Sequence, residues 1–525
     1  MTTYIDQVRI EQEVKEYYRY ATFSHKWEVN EPLFDKVINI VVYELEEFPT
    51  HDKLQMFCKI VRDAGFNWAW SDTCCINKSD HFVLQEALVA MFKWYEGSAL
   101  TIIFLRGVHS LSRCGDLVRS IWNTRAWTLQ EYHASKVVRF YTEDWTPYLN
   151  LNIPSHKESP EIISEMEEAT GVSARSLMGL RPGLDDIREK LCLASRRRTT
   201  LVEDTAYSLL GIFSVSLPVV YGEGDRSLGR LLAQLLTSSG DTSILAWNGR
   251  SGSFNTCLPG HIAVFSQLQT AHIPPVIERA EMDMVTTRLR ASSLDFTLAM
   301  QLYDQLNELP VPLFAGRRMK LPCITFKLGP LSASRRGSEY VYRAQTAALG
   351  IVVVRTTENL SRLGSLYLIH PWIDFLLDRQ PVGSVAETIY EGSIYDHFPS
   401  ITESPSFPGP SNITSVVPQT PATRRVSSLA RSFDGHHSTP PPRYSDVVSL
   451  QPPSTISPMD KEMRALQLLT RLRQPFGALL LTPNLGNVAA CSRVAAESLI
   501  TVQVGDITPT ILNKLVDSVR ILDVL

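Results

Sequence analysis

The chain has 525 residues, of which 44% are apolar and 20% charged, and its formal net charge is -4. This length exceeds what a single hydrophobic core supports, so we expect two or three domains. Lys+Arg 51 against Asp+Glu 55 leaves no basic excess, and nucleic-acid binding is therefore not expected.

No segment predicts secretion, a membrane span or a metal site. The opening stretch MTTYIDQVRIEQEVKEYYRY is charged throughout, whereas a secretory signal needs an apolar centre. No apolar run reaches the ~20 residues that a membrane-spanning helix requires. The 8 cysteines lack CxxC pairs, which predicts reduced, mostly buried thiols. Cys74 and Cys75, adjacent on a predicted strand, would point to opposite faces and could not share a metal. We expect a soluble cytoplasmic protein without a bound cofactor.

Residues 1–150 alternate β-like runs with helical periodicity, which is typical of an α/β domain with a parallel sheet. The runs are YATFSHKW, FNWAWSDTCCI, LTIIFL and VVRFY. Apolar residues at helical spacing between them predict two helices, one with Leu54, Phe57, Cys58 and Val61, the other with Leu84, Leu88, Met91, Phe92 and Tyr95. We expect Ser79 or Asp80 to cap the second helix, and Thr124 to cap a later helix that carries Trp127 and Glu131.

Four further regions follow in chain order. Residues 151–240 have mainly helical periodicity and are expected to extend the first domain. Short β-like runs separated by Gly, Pro and Ser predict a β-rich domain over 241–395. Residues 396–459 are rich in Pro and Ser and predict a disordered insertion. Residues 460–525 contain β-like runs that we expect to complete the β-rich domain.

Glu131 is the candidate residue on which the functional interpretation depends. At i and i+4, Trp127 and Glu131 share one face of the predicted helix. A carboxylate one turn from a buried tryptophan is expected at a core boundary or at the lip of a cleft. The spacing alone favours an ion pair of Glu131 with Arg125 or another helix cation over a catalytic role.

Polar residues at strand ends are further candidates. Ser24 and Asp72 follow two predicted strands, where open α/β sheets bind ligands, although either could serve as a turn residue. His25 is expected to be a satisfied polar residue at a strand end. No nucleotide-binding loop is present, and YGEGDRSLGR predicts a turn leading into a helix.

Five blocks in order resemble the fungal heterokaryon incompatibility (HET) domain family, in particular the stand-alone HET proteins of mushroom-forming fungi. They are YATFSHKW, WAWSDTCCIN, MFKWYEGSALTIIFL, WNTRAWTLQEY with KVVRFY, and RRTTLVEDTAYSLLGIFSVSLPVVYGEG. The resemblance implies recognition of self and non-self at hyphal fusion, ending in growth arrest or cell death. It also implies contacts with other HET-domain or incompatibility proteins and self-association on activation.

HET domains are in turn similar to Toll/interleukin-receptor (TIR) domains, which have a flavodoxin-like sheet. Some TIR domains cleave NAD with a glutamate that follows a tryptophan on a helix. The resemblance places Glu131 on that glutamate and Ser24 on a serine at the end of the first strand, with Asp72, Arg125 and Trp127 shaping an NAD site. Thr128 departs from the pattern, because TIR helices often have Cys there. The implied activity is NAD hydrolysis; the alternative is a non-enzymatic adaptor that signals through HET contacts.

The predicted insertion carries two short motifs. Pro441, Pro442 and Tyr444 form a PPxY arrangement of the kind that WW domains bind, which suggests docking of a ubiquitin ligase. RRVSS resembles a basophilic kinase site at Ser427.

Overall fold

The computed structural model describes residues 7–266, 296–336, 339–360, 365–377, 458–484, 487–496 and 498–525, with the single positions 284, 287, 288 and 363. The insertion expected at 396–459 lies almost entirely outside these residues. So do the motifs at Ser427, Pro441, Pro442 and Tyr444.

A four-stranded parallel sheet forms the centre of the N-terminal region. Its strands are β1 (Tyr20–His25), β2 (Trp68–Ser71), β3 (Leu100–Leu105) and β4 (Val138–Thr142). Their spatial order is β2-β1-β3-β4, and each neighbouring pair is parallel. The predicted α/β fold with a parallel sheet is confirmed. This order equals that of the first four strands of flavodoxin-like sheets, in which the direction of winding changes between β1 and β3.

Helices surround this sheet on both faces. They are α1 (Gln7–Tyr17), α2 (Phe34–Val37), α3 (Pro49–Asp63), α4 (His81–Gly97), α5 (Asp116–Arg119) and α6 (Trp127–Ala134). Short 3-10 helices lie at Val42–Glu44, Trp122–Thr124, Tyr148–Asn150 and His156–Glu158. The helices predicted from apolar spacing correspond to α3 and α4.

The burial of both sheet faces explains the composition of the strands. β3 is buried at all six positions, as expected for a central parallel strand covered on both faces. Phe23 and Ile102 pack with Phe57 of α3 on one face, whereas Ile103 packs with Phe92 of α4 on the other. Burying one such side chain stabilises the fold by about 1.5–3 kcal/mol.

One of the two predicted helix caps is confirmed and the other is wrong. Asp80 caps α4, because its Oδ1 accepts hydrogen bonds from the backbone N–H of Phe82 at 2.9 Å and of Val83 at 3.3 Å. Thr124 does not cap α6. The backbone of Arg198 pairs with the segment on either side of Arg125 and holds it extended, so the helix begins only at Trp127.

The region predicted to be helical contains α7 (Pro160–Thr170), α8 (Ala174–Gly179), α9 (Ile187–Ser195), α10 (Asp204–Tyr207) and α11 (Arg226–Ser239). The predicted turn before α11 is confirmed, with Gly222 at φ 94 and Gly224 at φ 63. Glu203 Oε1 accepts hydrogen bonds from both glycine N–H groups, at 2.8 and 2.9 Å. Glycine suits this turn because other residues are strained at positive φ.

The region after α11 is rich in strands. One of its sheets contains strands from both sides of residues 378–457, which the structure does not describe. The strands are β5 (Leu313–Ala315), β6 (Arg318–Lys327), β7 (Leu331–Arg336), β8 (Glu339–Thr346), β9 (Gly350–Thr356), β10 (Tyr367–His370), β11 (Phe476–Asn484), β12 (Asn487–Arg493), β13 (Ile500–Val502) and β14 (Val519–Val524). One sheet has the order β10-β11-β12-β14-β6-β5, with β13 paired to β11, and another has the order β7-β8-β9. Strands from both sides of the undescribed segment therefore pair with each other. The accompanying helices are α12 (Phe296–Asn307), α13 (Ile373–Leu377), α14 (Pro458–Leu472) and α15 (Pro509–Val516), and 3-10 helices lie at Thr242–Leu245 and Ile262–Phe265.

The helical region packs against the start of the strand-rich region, where the guanidinium of Arg188 in α9 donates to the Ser243 carbonyl at 3.1 Å. The indole N–H of Trp372 donates to the Thr242 carbonyl at 2.8 Å. The guanidinium of Arg493 lies 3.8 Å from the centre of the Trp247 ring. These contacts belong to one continuous hydrophobic core that also includes α9 and α11.

The cysteines are free thiols, and four of them are buried. Cys74 and Cys75 are not on a strand as predicted, because β2 ends at Ser71. The Cys75 N–H donates to the Ser71 carbonyl at 2.8 Å and closes a turn there. Across the described part of the chain, no three His, Cys, Asp or Glu side chains are grouped to hold a metal ion. None of the helices in that part is long and apolar enough to cross a membrane.

Candidate functional site

A cleft of about 710 Å³ opens at the carboxyl edge of the parallel sheet. Open α/β sheets bind ligands outside the carboxyl ends of their strands, at the point where the winding direction changes. The lining comes from five parts of the chain: the end of β1, the segment after β2, α4, α6 and the residues after α9. Its polar and aromatic residues are His25, Trp27, Asp72, Lys78, Thr124, Arg125, Trp127, Glu131, Arg198, Thr199, Thr200, Asp204 and Tyr221.

Glu131 lies at the floor of this cleft and is only 4% exposed. Its Oε2 accepts a hydrogen bond from the hydroxyl of Ser24, the fifth residue of β1. The indole N–H of Trp122 donates to the same Ser24 oxygen at 2.8 Å. Because an indole nitrogen can only donate, the Ser24 oxygen is the acceptor in that contact, and its own proton is available to the ionised form of Glu131. The carboxylate is thus held in one orientation by the serine behind it.

The environment of Glu131 opposes its ionisation. Burial raises the pKa of Glu131 to about 8, and the negative charge of Asp72 adds to the increase. The Ser24 hydrogen bond and the charges of Arg125 and Arg197 act in the opposite direction but do not outweigh burial. A carboxyl group with a pKa near neutrality is typical of catalytic sites.

The prediction that Glu131 forms an ion pair with Arg125 or another helix cation is wrong. Over residues 7–266, no lysine or arginine lies within salt-bridge distance of its carboxylate. The physical reason is local geometry. Arg125 precedes α6 in an extended conformation (φ -85, ψ 140), so it does not share the helical face of Glu131.

The first wall of the cleft consists of Trp27, Asp72 and Lys78. The indole N–H of Trp27 donates to Asp72 Oδ2 at 2.9 Å, and the Lys78 ammonium lies 3.6 Å from the centre of the Trp27 ring. Burial raises the pKa of Asp72, while His25, Lys78 and the Trp27 hydrogen bond oppose this. The wall presents an oriented indole and a second carboxyl group to the cleft.

The second wall consists of Trp127, Asp204 and Tyr221. The Tyr221 hydroxyl donates to Asp204 Oδ1 at 2.9 Å. Burial raises the pKa of Asp204, whereas its hydrogen bonds with Trp127 and Tyr221 lower it. Each wall of the cleft therefore pairs a tryptophan with an aspartate, and Glu131 lies between them at the floor.

Arg197 fixes the start of α6 beneath the cleft. Its guanidinium is buried and donates to the Arg125 carbonyl at 2.9 Å, Thr128 Oγ1 at 2.8 Å and Asn123 Oδ1 at 2.9 Å. Thr128, the position where the sequence departs from the TIR pattern, is thus used to anchor this arginine. The buried charge contributes to the field at Glu131 without forming an ion pair with it.

The structure brings the five predicted residues together, but in two layers. Asp72, Arg125, Trp127 and Glu131 line the cleft. Ser24 is fully buried and contacts Glu131 from behind.

His25 differs from its prediction. Over the described residues, neither of its ring nitrogens has a hydrogen-bond partner, and the nearest acid, Glu31, is 3.6 Å from Nε2. The chain turns away after β1 and places the ring against Phe23 and the cleft rather than against a hydrogen-bonding group.

Sequence reasoning missed several of the lining residues. These are Trp27, Lys78, Arg198, Asp204 and Tyr221. Trp27, Arg198, Asp204 and Tyr221 lie within or beside the blocks that carry the family resemblance, which was the available signal. Their chemistry could not be read from spacing, because α10 and the segment between α10 and α11 meet α6 only through the tertiary fold.

Comparisons with known proteins find matches to the N-terminal region that contains the parallel sheet. Residues 20–116 match the family model described as "Heterokaryon incompatibility protein (HET)". Over 227 residues the chain is 33% identical to the vegetative incompatibility protein HET-E-1 of Podospora anserina. The alignment covers 40% of this chain and only 16% of HET-E-1. No solved structure matches the chain.

Proposed function

Since residues 20–116 match the HET family model, we propose that the protein acts in heterokaryon incompatibility and hydrolyses NAD in the cleft at the sheet edge. The name of its relative, a vegetative incompatibility protein, supports the biological role. The chemistry of the cleft supports the reaction. Self-association with other HET domains is the expected trigger.

NAD hydrolysis requires one carboxylate rather than two. Ordinary glycosidases need a general acid because their leaving group is poor. The nicotinamide of NAD is cationic, so when the C1′–N bond breaks the electron pair passes to the ring nitrogen and nicotinamide leaves neutral. Water then adds to C1′ and releases a proton. The carboxylate has to stabilise the positive charge that develops on the ribose.

The single observation that carries this proposal is the state of Glu131. It is a buried carboxylate, aimed by the Ser24 hydroxyl into a cleft and paired with no cation within salt-bridge distance over residues 7–266. An ion-paired carboxylate would already be neutralised. Glu131 instead offers its charge to a ligand in a site of low polarity, where electrostatic stabilisation is strongest.

The raised pKa fits a cationic substrate. Near pH 7 the free protein keeps Glu131 mostly protonated, because its pKa is about 8. A positively charged nicotinamide ring beside it favours the ionised form. We therefore expect kcat/KM to increase with pH towards a plateau above about 8.

The test is release of nicotinamide from NAD by the purified full chain, free and concentrated on a surface to force assembly. Glu131→Gln, verified by circular dichroism, should reduce the rate by about 10²–10³-fold, as loss of one stabilising group typically does. Glu165→Gln is the matched control, because Glu165 is also 4% exposed but lies outside the cleft. An active, folded Glu131→Gln variant would rule out the proposed mechanism.

The second candidate function is an adaptor without enzymatic activity, and an exposed aromatic surface favours it. Tyr17, Tyr18 and Trp68 contact one another at the sheet edge formed by β2. Between 45% and 55% of each side chain is exposed, and β2 pairs only with β1 in the described sheet. Such an edge can accept another HET domain.

Cell toxicity separates the two functions. If the protein is an adaptor, Trp68→Ala abolishes toxicity and Glu131→Gln retains it. If toxicity requires NAD hydrolysis, Glu131→Gln abolishes it as well.

A further inference from the structure

Two arginines from distant parts of the chain are paired at the mouth of the cleft. Arg125 and Arg198 form an isolated parallel β-bridge. The Ala126 N–H donates to the Arg198 carbonyl at 3.0 Å, and the Arg198 N–H donates to the Thr124 carbonyl at 2.6 Å. Paired residues on neighbouring extended segments lie about 5 Å apart, and both side chains line the cleft.

Neither guanidinium forms an ion pair within residues 7–266, and the charge of Arg125 acts on Glu131 and Asp204 only from a distance. Within residues 7–266, the side chains of Arg125 and Arg198 make no hydrogen bond or salt bridge. Two like charges on directly paired residues repel each other. A ligand with negative charge between them removes this repulsion.

The neighbouring arginines show that this arrangement is specific to the cleft. Arg196 donates to the carbonyls of Glu168 and Ala169 at the end of α7, at 3.3 and 3.4 Å. Arg197 is buried beneath α6 with three hydrogen bonds. In the run Arg196–Arg197–Arg198, Arg198 alone lines the cleft, and all three residues line a neighbouring pocket of about 560 Å³.

We propose that Arg125 and Arg198 form a clamp for the pyrophosphate group of the substrate, so that the cleft takes an ADP-ribosyl dinucleotide rather than a nucleoside. The proposal rests on the proposed function and specifies its substrate class. Guanidinium groups bind phosphate oxygens in pairs of parallel hydrogen bonds. Two adjacent guanidiniums match two adjacent phosphates.

The rest of the cleft suits the other parts of such a ligand. The indoles of Trp27 and Trp127 offer flat apolar surfaces for the bases. The carboxyl groups of Asp72, Glu131 and Asp204 can accept hydrogen bonds from ribose hydroxyls. A nucleoside would use these groups but would leave the two arginines unpaired.

The experiment measures binding separately from hydrolysis. Inorganic pyrophosphate, ADP-ribose and nicotinamide riboside are titrated by calorimetry into the full chain carrying Glu131→Gln, in which hydrolysis is expected to be about 10²–10³-fold slower. Adding Arg198→Ala should raise the Kd of pyrophosphate and of ADP-ribose by about tenfold to a hundredfold, the effect of losing hydrogen bonds to a charged group. The Kd of nicotinamide riboside should not change.

Two further variants control for charge and shape. Arg196→Ala removes one positive charge from the same loop and should leave all three affinities unchanged. Arg198→Lys keeps the charge but not the paired donors, so it should weaken ADP-ribose binding less than Arg198→Ala does. Equal losses of affinity in Arg196→Ala and Arg198→Ala would overturn the clamp. An unchanged Kd of pyrophosphate in Arg198→Ala would overturn it as well.

The outcomes distinguish the clamp from the reaction. Binding of pyrophosphate that depends on Arg198, without nicotinamide release by the parent chain, would keep the clamp and remove the NAD-hydrolysis proposal. Nicotinamide release with an unchanged KM in Arg198→Ala would keep the reaction and overturn the clamp.

Discussion

Two buried glutamates near the end of β1 have opposite environments. Glu31 is held by the Lys53 ammonium and lies 3.6 Å from His25 Nε2. Burial alone would raise its pKa, but His25 and Lys53 outweigh burial and hold it at about 2. Among the described residues, the Glu131 carboxyl group has one side-chain hydrogen-bond partner, the Ser24 hydroxyl, and its pKa is raised to about 8.

The difference indicates which acid is structural and which is available for chemistry. Lys53 is 3% exposed and also lies 3.3 Å from Glu28, so the Glu31 group is a closed network that anchors the segment after β1. Glu131 lies beside a cleft without a cation in salt-bridge distance over residues 7–266, and it stays mostly protonated near pH 7. Carboxyl groups with such strongly shifted pKa values occur at functional sites more often than elsewhere.

The largest expected effect is on stability, from Glu31→Gln. This change leaves the buried Lys53 ammonium without its closest counter-charge and should reduce the free energy of unfolding by about 3–5 kcal/mol. Urea denaturation followed by tryptophan fluorescence measures it. Adding Lys53→Met should recover much of the loss, because it removes the buried charge that Glu31→Gln leaves without its closest partner. A stable Glu31→Gln variant would contradict the structural role.

Glu131→Gln should have the opposite effect on stability. In the folded protein Glu131 binds its proton up to about pH 8, whereas in the unfolded chain it releases it near 4.5. Between these values the folded state holds more protons, so the contribution of Glu131 to stability decreases as pH increases. Glu131→Gln removes this decrease. Its free energy of unfolding should therefore exceed that of the parent by about 1–3 kcal/mol at pH 8. Urea denaturation at pH 5 and pH 8 should show the gain only at the higher pH.

Ser24→Ala should make the environment of Glu131 still less favourable to charge. It removes the hydrogen bond that lowers the pKa of Glu131, so the midpoint of the pH–rate profile for NAD hydrolysis should move above 8. The Trp122 N–H also loses its acceptor, at a cost of about 1–3 kcal/mol. Ser135→Ala is the control, since Ser135 is equally buried but donates to the Glu131 carbonyl rather than to its carboxylate. An unchanged midpoint in Ser24→Ala would show that the Ser24 hydrogen bond does not control the pKa of Glu131.

Asp72→Asn should have the smallest effect. It should lower the midpoint of the pH–rate profile, which Ser24→Ala raises. The amide oxygen can still accept from Trp27, but the negative charge that raises the pKa of Glu131 is gone. At pH 7 the ionised fraction of Glu131 then increases, with a gain in rate of roughly several-fold, since one pKa unit corresponds to a factor of ten. Asp204→Asn on the second wall serves as the comparison and should leave the midpoint in place.

Local sequence was a good guide to the elements around the cleft. The all-apolar run of β3 and the helical spacing of Leu54 and Phe57 reflect burial, which depends on periodicity within one segment. The Asp80 cap is likewise a contact between neighbours in the chain. Two of the five candidate site residues, Ser24 and Asp72, were proposed because strand ends meet at one edge of a parallel sheet. Trp127 and Glu131 were proposed from their spacing on one predicted helix.

The tertiary structure alone decided the electrostatics of the site. The sequence indicated that Glu131 faces a tryptophan on one helix, but not that Arg198 would hold Arg125 extended and away from it. The pKa of Glu131 depends on burial and on Ser24 and Asp72, which come from other elements. Periodicity is a property of one segment, whereas a local dielectric and the distances between charges exist only after segments from the whole region have packed together.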